Sequence, residues 1–144
     1  MLKLGKSAKY GAALAAVALY FSIALWLERS YVSPVPKGQV AVQMRPPFEP
    51  LGGAAFRYLP SAPSEGNSLM AFAEDPANAG DRRSPIIIYE GHHPLGPAHS
   101  TFENISRIGR GHFAHWTDQG FVFSTSDGSD PNRNGRLYWL VIKG

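Results

Sequence analysis

Cysteine is absent, which excludes disulfides, thiolate metal sites, cysteine nucleophiles and iron–sulfur clusters together. Charge is scarce: Asp, Glu, Lys and Arg make up 17% of the chain, against roughly 25% in ordinary soluble domains. The net charge of +3 is local. Lys3, Lys6 and Lys9 supply it, and the eleven basic residues beyond them balance eleven acidic ones. A basic tail without a basic surface gives no footprint for nucleic acid, and none is expected as a partner. Catalytic signatures are missing too. No Gly-x-Ser-x-Gly elbow frames Ser100, Ser124 or Ser126, and Glu90 and Glu103 lack the context of a glycosidase carboxylate pair. Neither a catalytic residue nor a cofactor is expected.

One long apolar run is present. Residues 11–27 carry no charge and are bracketed by Lys9 and Glu28. With Tyr10 the run makes about 27 Å of helix at about 1.5 Å per residue, just enough to span a hydrocarbon core of about 30 Å. Tyr10 at one end and Trp26 with Tyr31 at the other suit the headgroup level. A cleavable signal peptide has the same basic start, but a shorter apolar stretch and a small-x-small cleavage site. Trp26-Leu27-Glu28-Arg29-Ser30 offers no such site. An uncleaved anchor is therefore expected, with residues 1–9 as a cytoplasmic basic tail and residues 10–27 as the transmembrane helix. The positive-inside bias places the remainder across the inner (cytoplasmic) membrane, in the periplasmic or extracytoplasmic space.

Small residues recur along this helix. Ala8, Ala12 and Ala16 are spaced by four, as are Gly11 with Ala15 and Ala18 with Ser22. In lipid such spacing lets helices approach closely, so other transmembrane subunits are expected partners beside the bilayer. Alanine is also simply a good helix former, which accounts for the pattern without a partner.

Residues 28–38 include an alternating proline stretch that reads as an extended spacer. A β domain is expected over residues 39–144, because short apolar or alternating runs recur between Pro/Gly-rich breaks. Seven strands are expected, at residues 39–44, 54–59, 68–73, 85–90, 112–116, 121–126 and 137–143. Residues 61–67 and 75–84 read as loops. A short helix over residues 101–108, with Phe102, Ile105 and Ile108 on one face and Ser100 as cap, completes the set. The predicted fold is a transmembrane helix followed by a small all-β sandwich or half-barrel with one short helix.

The last third differs in character. It contains Pro94-Leu95-Gly96-Pro97-Ala98-His99-Ser100, His115-Trp116, and a run from Ser124 to Arg136 dense in Ser, Asp, Asn and Gly. Residues 89–144 resemble a β-rich module of bacterial glycosyltransferases and glycan-modifying enzymes concerned with polysaccharides. The match includes His99, Ser100, His115, Trp116, Ser124, Ser126, Asp127, Ser129, Asp130, Pro131, Asn134, Gly135 and Arg136. It departs at His92-His93 and at Ala114, where the module has a polar pair with Gly and a Ser. The resemblance implies a fold and a polysaccharide-related setting, and it assigns no catalytic residue.

Three chemistries bear on this stretch. All five histidines, His92, His93, His99, His112 and His115, fall close together, but His112 and His115 sit three apart in a predicted strand and face opposite sides. Hydrogen-bonded structural roles are expected for His99 and His115. Asp130-x-Asn132-x-Asn134-Gly135 copies the start of an EF-hand loop, yet Val141 occupies the position that needs a bidentate Glu. A hairpin connection is expected, with Arg136 pairing Asp127 or Asp130. Aromatic faces at Tyr89, Trp116, Tyr138 and Trp139 next to polar side chains suit binding of a glycan or of a protein loop. The candidate ligand or partner surface is therefore His99, His115, Trp116, Ser126, Asp127, Asp130, Asn134 and Arg136. The first expectation is a non-catalytic, membrane-anchored accessory subunit whose β domain docks on a membrane complex. The alternative is a glycan-binding or envelope-polysaccharide accessory module.

Overall fold

The computed structural model describes residues 6–61 and 68–143. They form two compact units, one ending at Ser33 and the other starting at Pro34. The first is a single helix, α1, over Lys6–Ser30. Its segment Ser7–Ser30 is long and apolar enough to cross a membrane, a test that a signal sequence near the N-terminus also meets. Ala8, Gly11, Ala12, Ala15, Ala16, Ala18 and Ser22 are all exposed on it. Ser22 Oγ donates to the Ala18 carbonyl at 2.8 Å, so its hydroxyl is satisfied within the helix.

The second unit holds two antiparallel four-stranded sheets. One contains β1 (Val40–Met44), β8 (Tyr138–Ile142), β4 (Ile86–Glu90) and β5 (His93–Pro94), in that spatial order. The other contains β2 (Glu49–Gly52), β3 (Ala55–Tyr58), β7 (Gly120–Phe123) and β6 (Phe113–Trp116). Alternation puts Met44, Ile86, Ile88, Tyr138 and Leu140 of the first sheet against Tyr58, Phe113, Phe121 and Phe123 of the second. Phe48 enters this core from the turn between β1 and β2. Its ring lies edge-on to Phe123 at 5.4 Å and to Tyr138 at 5.6 Å. Asn132 clamps the same turn: Phe48 N–H donates to its Oδ1 at 2.7 Å, and its Nδ2 returns a bond to the Phe48 carbonyl at 2.9 Å.

Every residue of β7 is buried. A strand with one solvated face would alternate, so something covers its outer side. Ile105 does, packing with Ala55, Ala114 and Val122 into a second apolar cluster. It comes from a wide helical turn, Asn104–Ile108, closed by the Gly109 N–H to the Asn104 carbonyl at 3.1 Å. The helix expected over residues 101–108 is present over residues 102–108, with the wide turn as its last five residues. Of its expected inward face only Ile105 is buried, while Phe102 and Ile108 are 44% and 53% exposed. The widened turn takes residues three apart off a common face. Thr101 takes the capping role expected of Ser100: its Oγ1 accepts the Asn104 N–H at 3.3 Å, whereas Ser100 Oγ donates to the Pro97 carbonyl.

Five expected strands, at residues 39–44, 54–59, 85–90, 112–116 and 137–143, have observed counterparts shorter by one to two residues, and the run 121–126 stops at Phe123. The run 68–73 forms no strand; Ser68–Met70 are helical and a turn follows. Leu69 and Ala73 nonetheless face inward, because a buried side chain needs only a position and not a ladder. Two short strands, β2 and β5, were hidden by prolines that read as breaks. The expected loop at residues 61–67 lies, apart from Ser61, outside the described residues. The spacer is shorter than residues 28–38. Helix α1 runs to Ser30, and Pro36 is buried within the β unit, where Gln39 N–H also bonds the Ile142 carbonyl at 2.8 Å.

Candidate functional site

The second sheet ends at β6, whose outer edge would carry unpaired backbone groups. The segment around Glu74 covers part of it. Glu74 N–H donates to the His115 carbonyl at 2.8 Å, and Thr117 returns its N–H and its Oγ1–H to the Glu74 carbonyl at 2.9 and 3.1 Å. This splice pins the Glu74 backbone to the end of β6 and carries its carboxylate inside; the residue is 2% exposed.

A buried carboxylate needs partners. Glu74 Oε1 accepts the Ser84 N–H at 3.2 Å and is bonded to His99 Nδ1. Ser84 Oγ continues the chain to His115 Nδ1 at 2.9 Å. His115 lies flat on Phe121, with ring centroids 4.0 Å apart and planes at 11°. Its Nε2 is buried without a hydrogen-bond partner. Burial pushes the His115 pKa down to about 4, so the ring is neutral at pH 7. His99 holds a left-handed backbone, φ 56°, while the Ser100 N–H bonds the Phe113 carbonyl at 3.0 Å. A non-glycine residue in that region needs surroundings that fix it.

A cleft of about 360 Å³ opens over this pair. Its walls include Glu74, Asp75, Asp81, His99, Phe102 and Trp116, with Asn78 and Gln119 adding amide groups. Asp81 accepts the Asp75 N–H at 2.9 Å and is held by Arg83, whose Nη2 lies 2.6 Å from Oδ2. The Arg83 hydrogen bond, then the Asp75 N–H, lower its pKa to about 2.

A second polar group closes the connection between β7 and β8. Arg136 Nη2 lies 2.6 Å from Asp127 Oδ2 and its Nη1 lies 2.9 Å from Glu90 Oε1. The hydrogen bond from Arg136, seconded by Ser129, holds the Asp127 carboxyl well below its usual range. Glu90 also accepts Ser126 N–H at 3.1 Å and Ser126 Oγ–H at 2.6 Å. Asn134 donates to Ser129 Oγ and to Tyr138 Oη at 3.0 and 2.8 Å. Burial raises the Tyr138 phenol to about 12. These side chains are occupied with one another, so the group fixes a loop.

The eight residues expected on one ligand or partner surface therefore divide. Only His99 and Trp116 line the cleft. His115 is corrected from surface to interior at 2% exposure, because its ring fills space against Phe121. Ser126, Asp127, Asn134 and Arg136 belong to the loop group. Asp130 pairs with Arg133, at 3.8 Å, and not with Arg136, which turns to Asp127 and Glu90. Tyr138 and Tyr89 are buried, so of the four aromatics expected as ligand faces only Trp116 and Trp139 keep partial exposure. The EF-hand-like oxygens are spent on protein groups: Asp130 accepts the Asn132 N–H, and Asn132 clamps Phe48. Among the described residues no three His, Asp or Glu side chains converge as a metal-binding group.

Sequence reasoning missed Glu74, Asp75, Asp81 and Phe102 as wall residues. One signal was available: Glu74 is the first of two acids that close the apolar run from Leu69 to Ala73, and an acid directly abutting such a run needs a partner if the run is buried. Comparison with protein-family models, with curated proteins and with solved structures finds no match for this chain.

Proposed function

We propose that the protein is a single-pass, membrane-anchored accessory protein of a bacterial envelope whose extracytoplasmic β domain binds a carbohydrate in the cleft beside Trp116. The observation that carries this is the cleft itself. It combines partly exposed rings of Trp116 and Phe102 with Asn78, Gln119, Asp75 and His99 in one concavity. Sugar rings offer an apolar face ringed by hydroxyls, and an aromatic wall with planar polar groups around it matches both. The likeness of residues 89–144 to a module of polysaccharide-related enzymes agrees with this choice. In this role the domain is a binding module and performs no chemistry.

Helix α1 supports a second part of the role. Its small residues from Ala8 to Ser22 leave a shallow face on which other transmembrane subunits can pack. Under this proposal the N-terminus is cytoplasmic, α1 stays uncleaved in the inner membrane, and the β domain is extracytoplasmic.

The test uses the full-length chain in a mild detergent. Titration with neutral oligosaccharides, followed by tryptophan fluorescence and calorimetry, is expected to show saturable binding. Trp116→Ala is expected to abolish it while the near-ultraviolet circular dichroism of the core aromatics persists. If no oligosaccharide binds and the chain instead co-purifies with a stoichiometric membrane protein, docking on a complex replaces carbohydrate binding as its role.

A further inference from the structure

Resting on the carbohydrate reading above, we infer that the cleft selects uncharged or amine-bearing sugar rings and rejects acidic ones, with His99 as the side chain that receives the ligand hydroxyl. Two features of the site lead there. His99 Nδ1 is committed to the buried Glu74 carboxylate, and Glu74 is itself held by the Ser84 N–H. The imidazole is thereby oriented, and its Nε2, without a partner among the described residues, is the nitrogen left for a ligand. A hydroxyl both donates and accepts, so it satisfies that nitrogen whichever protonation state the ring holds.

The second feature is charge. Glu74, Asp75 and Asp81 line the cleft, and among the described residues no Lys or Arg does. Arg83 offsets Asp81 from outside the lining, and Glu74 is partnered by His99. Among the described residues Asp75 forms no ion pair, and the Arg83 charge, spent first on Asp81, reaches it only at longer range; its Oδ1 accepts the Ala77 N–H at 2.9 Å. A carboxylate-bearing ring entering here would meet like charge at Asp75 and would leave its own charge unpaired. An ammonium would meet the opposite sign. The left-handed backbone at His99, φ 56°, is one that His shares with Asn and Asp more often than other non-glycine residues.

The experiment measures affinities of the full-length protein in detergent for three 1,4-linked oligosaccharides of equal length: glucose, glucosamine and galacturonic acid. The glucose and glucosamine oligomers are expected to bind, and the galacturonate oligomer to bind at least about tenfold more weakly, a gap that narrows as salt is raised. Asp75→Asn keeps an oxygen for the Ala77 N–H and removes one negative charge. It is expected to shift the ratio of galacturonate to glucosamine affinity toward galacturonate by about threefold or more, whatever it does to glucose binding, and an unmoved ratio overturns the part assigned to Asp75. His99→Asn tolerates the same backbone and is expected to lower glucose affinity by about tenfold or more. Equal binding of galacturonate and glucose overturns the charge selection and leaves the carbohydrate role standing. An unchanged glucose affinity in His99→Asn overturns the part assigned to His99. Failure of all three oligomers to bind overturns the carbohydrate role and this inference with it.

Discussion

The imidazole of His99 meets the carboxylate of Glu74, a residue 25 positions earlier in the chain, and the carboxylate is almost wholly withdrawn from solvent. Neither residue reaches the other through local structure. The Glu74 backbone is spliced onto the end of β6, and His99 sits in the left-handed turn that leads back toward Phe113. The pair joins the wall of the cleft to the interior through Ser84 and His115.

Removing the Glu74 side chain leaves the buried Ser84 N–H and the His99 imidazole without their acceptor. Unsatisfied buried groups cost about 1–3 kcal/mol each. Glu74→Ala is therefore expected to lower stability by about 2–4 kcal/mol in urea unfolding of the detergent-solubilised chain. A loss below ~0.5 kcal/mol would show that the carboxylate holds nothing in place.

His115 gives the fold an acid-sensitive element. Its folded pKa of about 4 lies below the ordinary value of 6.5, so the unfolded chain takes up a proton first as pH falls. Its contribution is complete above about pH 6.5 and is lost progressively toward pH 4, amounting to about 3 kcal/mol. Unfolding midpoints measured from pH 7 to pH 4 are expected to fall more steeply for the native chain than for His115→Gln. Parallel curves would remove this residue as the cause.

Glu90 and Arg136 share one ion pair but are not equal in weight. Glu90 collects Ser126 twice, Arg136 and Tyr138, and its side chain is 11% exposed. Arg136 is 37% exposed and reaches outward. Exposed pairs contribute about 0–1 kcal/mol, whereas loss of a multiply bonded, mostly buried acceptor costs about 2 kcal/mol or more. Glu90→Ala is expected to destabilise clearly more than Arg136→Ala in the same unfolding assay, and the reverse order would contradict the network described.

Gly120 opens β7 at φ 72°, and a Cβ there would lie 2.6 Å from the Tyr58 carbonyl and 2.7 Å from Leu59 Cδ2. Both the backbone conformation and the space exclude a side chain. Gly120→Ala is expected to cost about 2 kcal/mol or more. Gly128, at φ 77° with nothing near its Cβ, is expected to cost less, about 1 kcal/mol. Thermal unfolding of the two variants side by side checks the difference.

Much of the framework could be read from residue order, because its signals are local. The uncharged run before Glu28 specifies an apolar helix by composition alone. Val40, Val42 and Met44, or Tyr138, Leu140 and Ile142, specify strands by period. Where the signal is not local, reading failed. Nothing near Phe121–Phe123 announces that Ile105 will cover the outer face of β7. Proline at Pro50 and Pro94 concealed β2 and β5, since an edge position excuses the missing N–H only once the sheet is known.

The candidate site divides the same way. The sequence determined by itself that the chain has no thiol chemistry, a balanced charge beyond its lysine tail, an apolar N-terminal helix, and a cluster of polar residues between Tyr89 and Arg136. Only the tertiary structure decided which of these face a ligand. It placed His115 inside against Phe121, spent Asp127 and Arg136 on each other, and brought Glu74 and, from the loop at residues 75–84, Asp81 to stand beside His99 and Trp116. The reason is physical: a side chain's type is fixed by the chain, but its partner is fixed by which backbone segments the two sheets and their edges bring within hydrogen-bond distance.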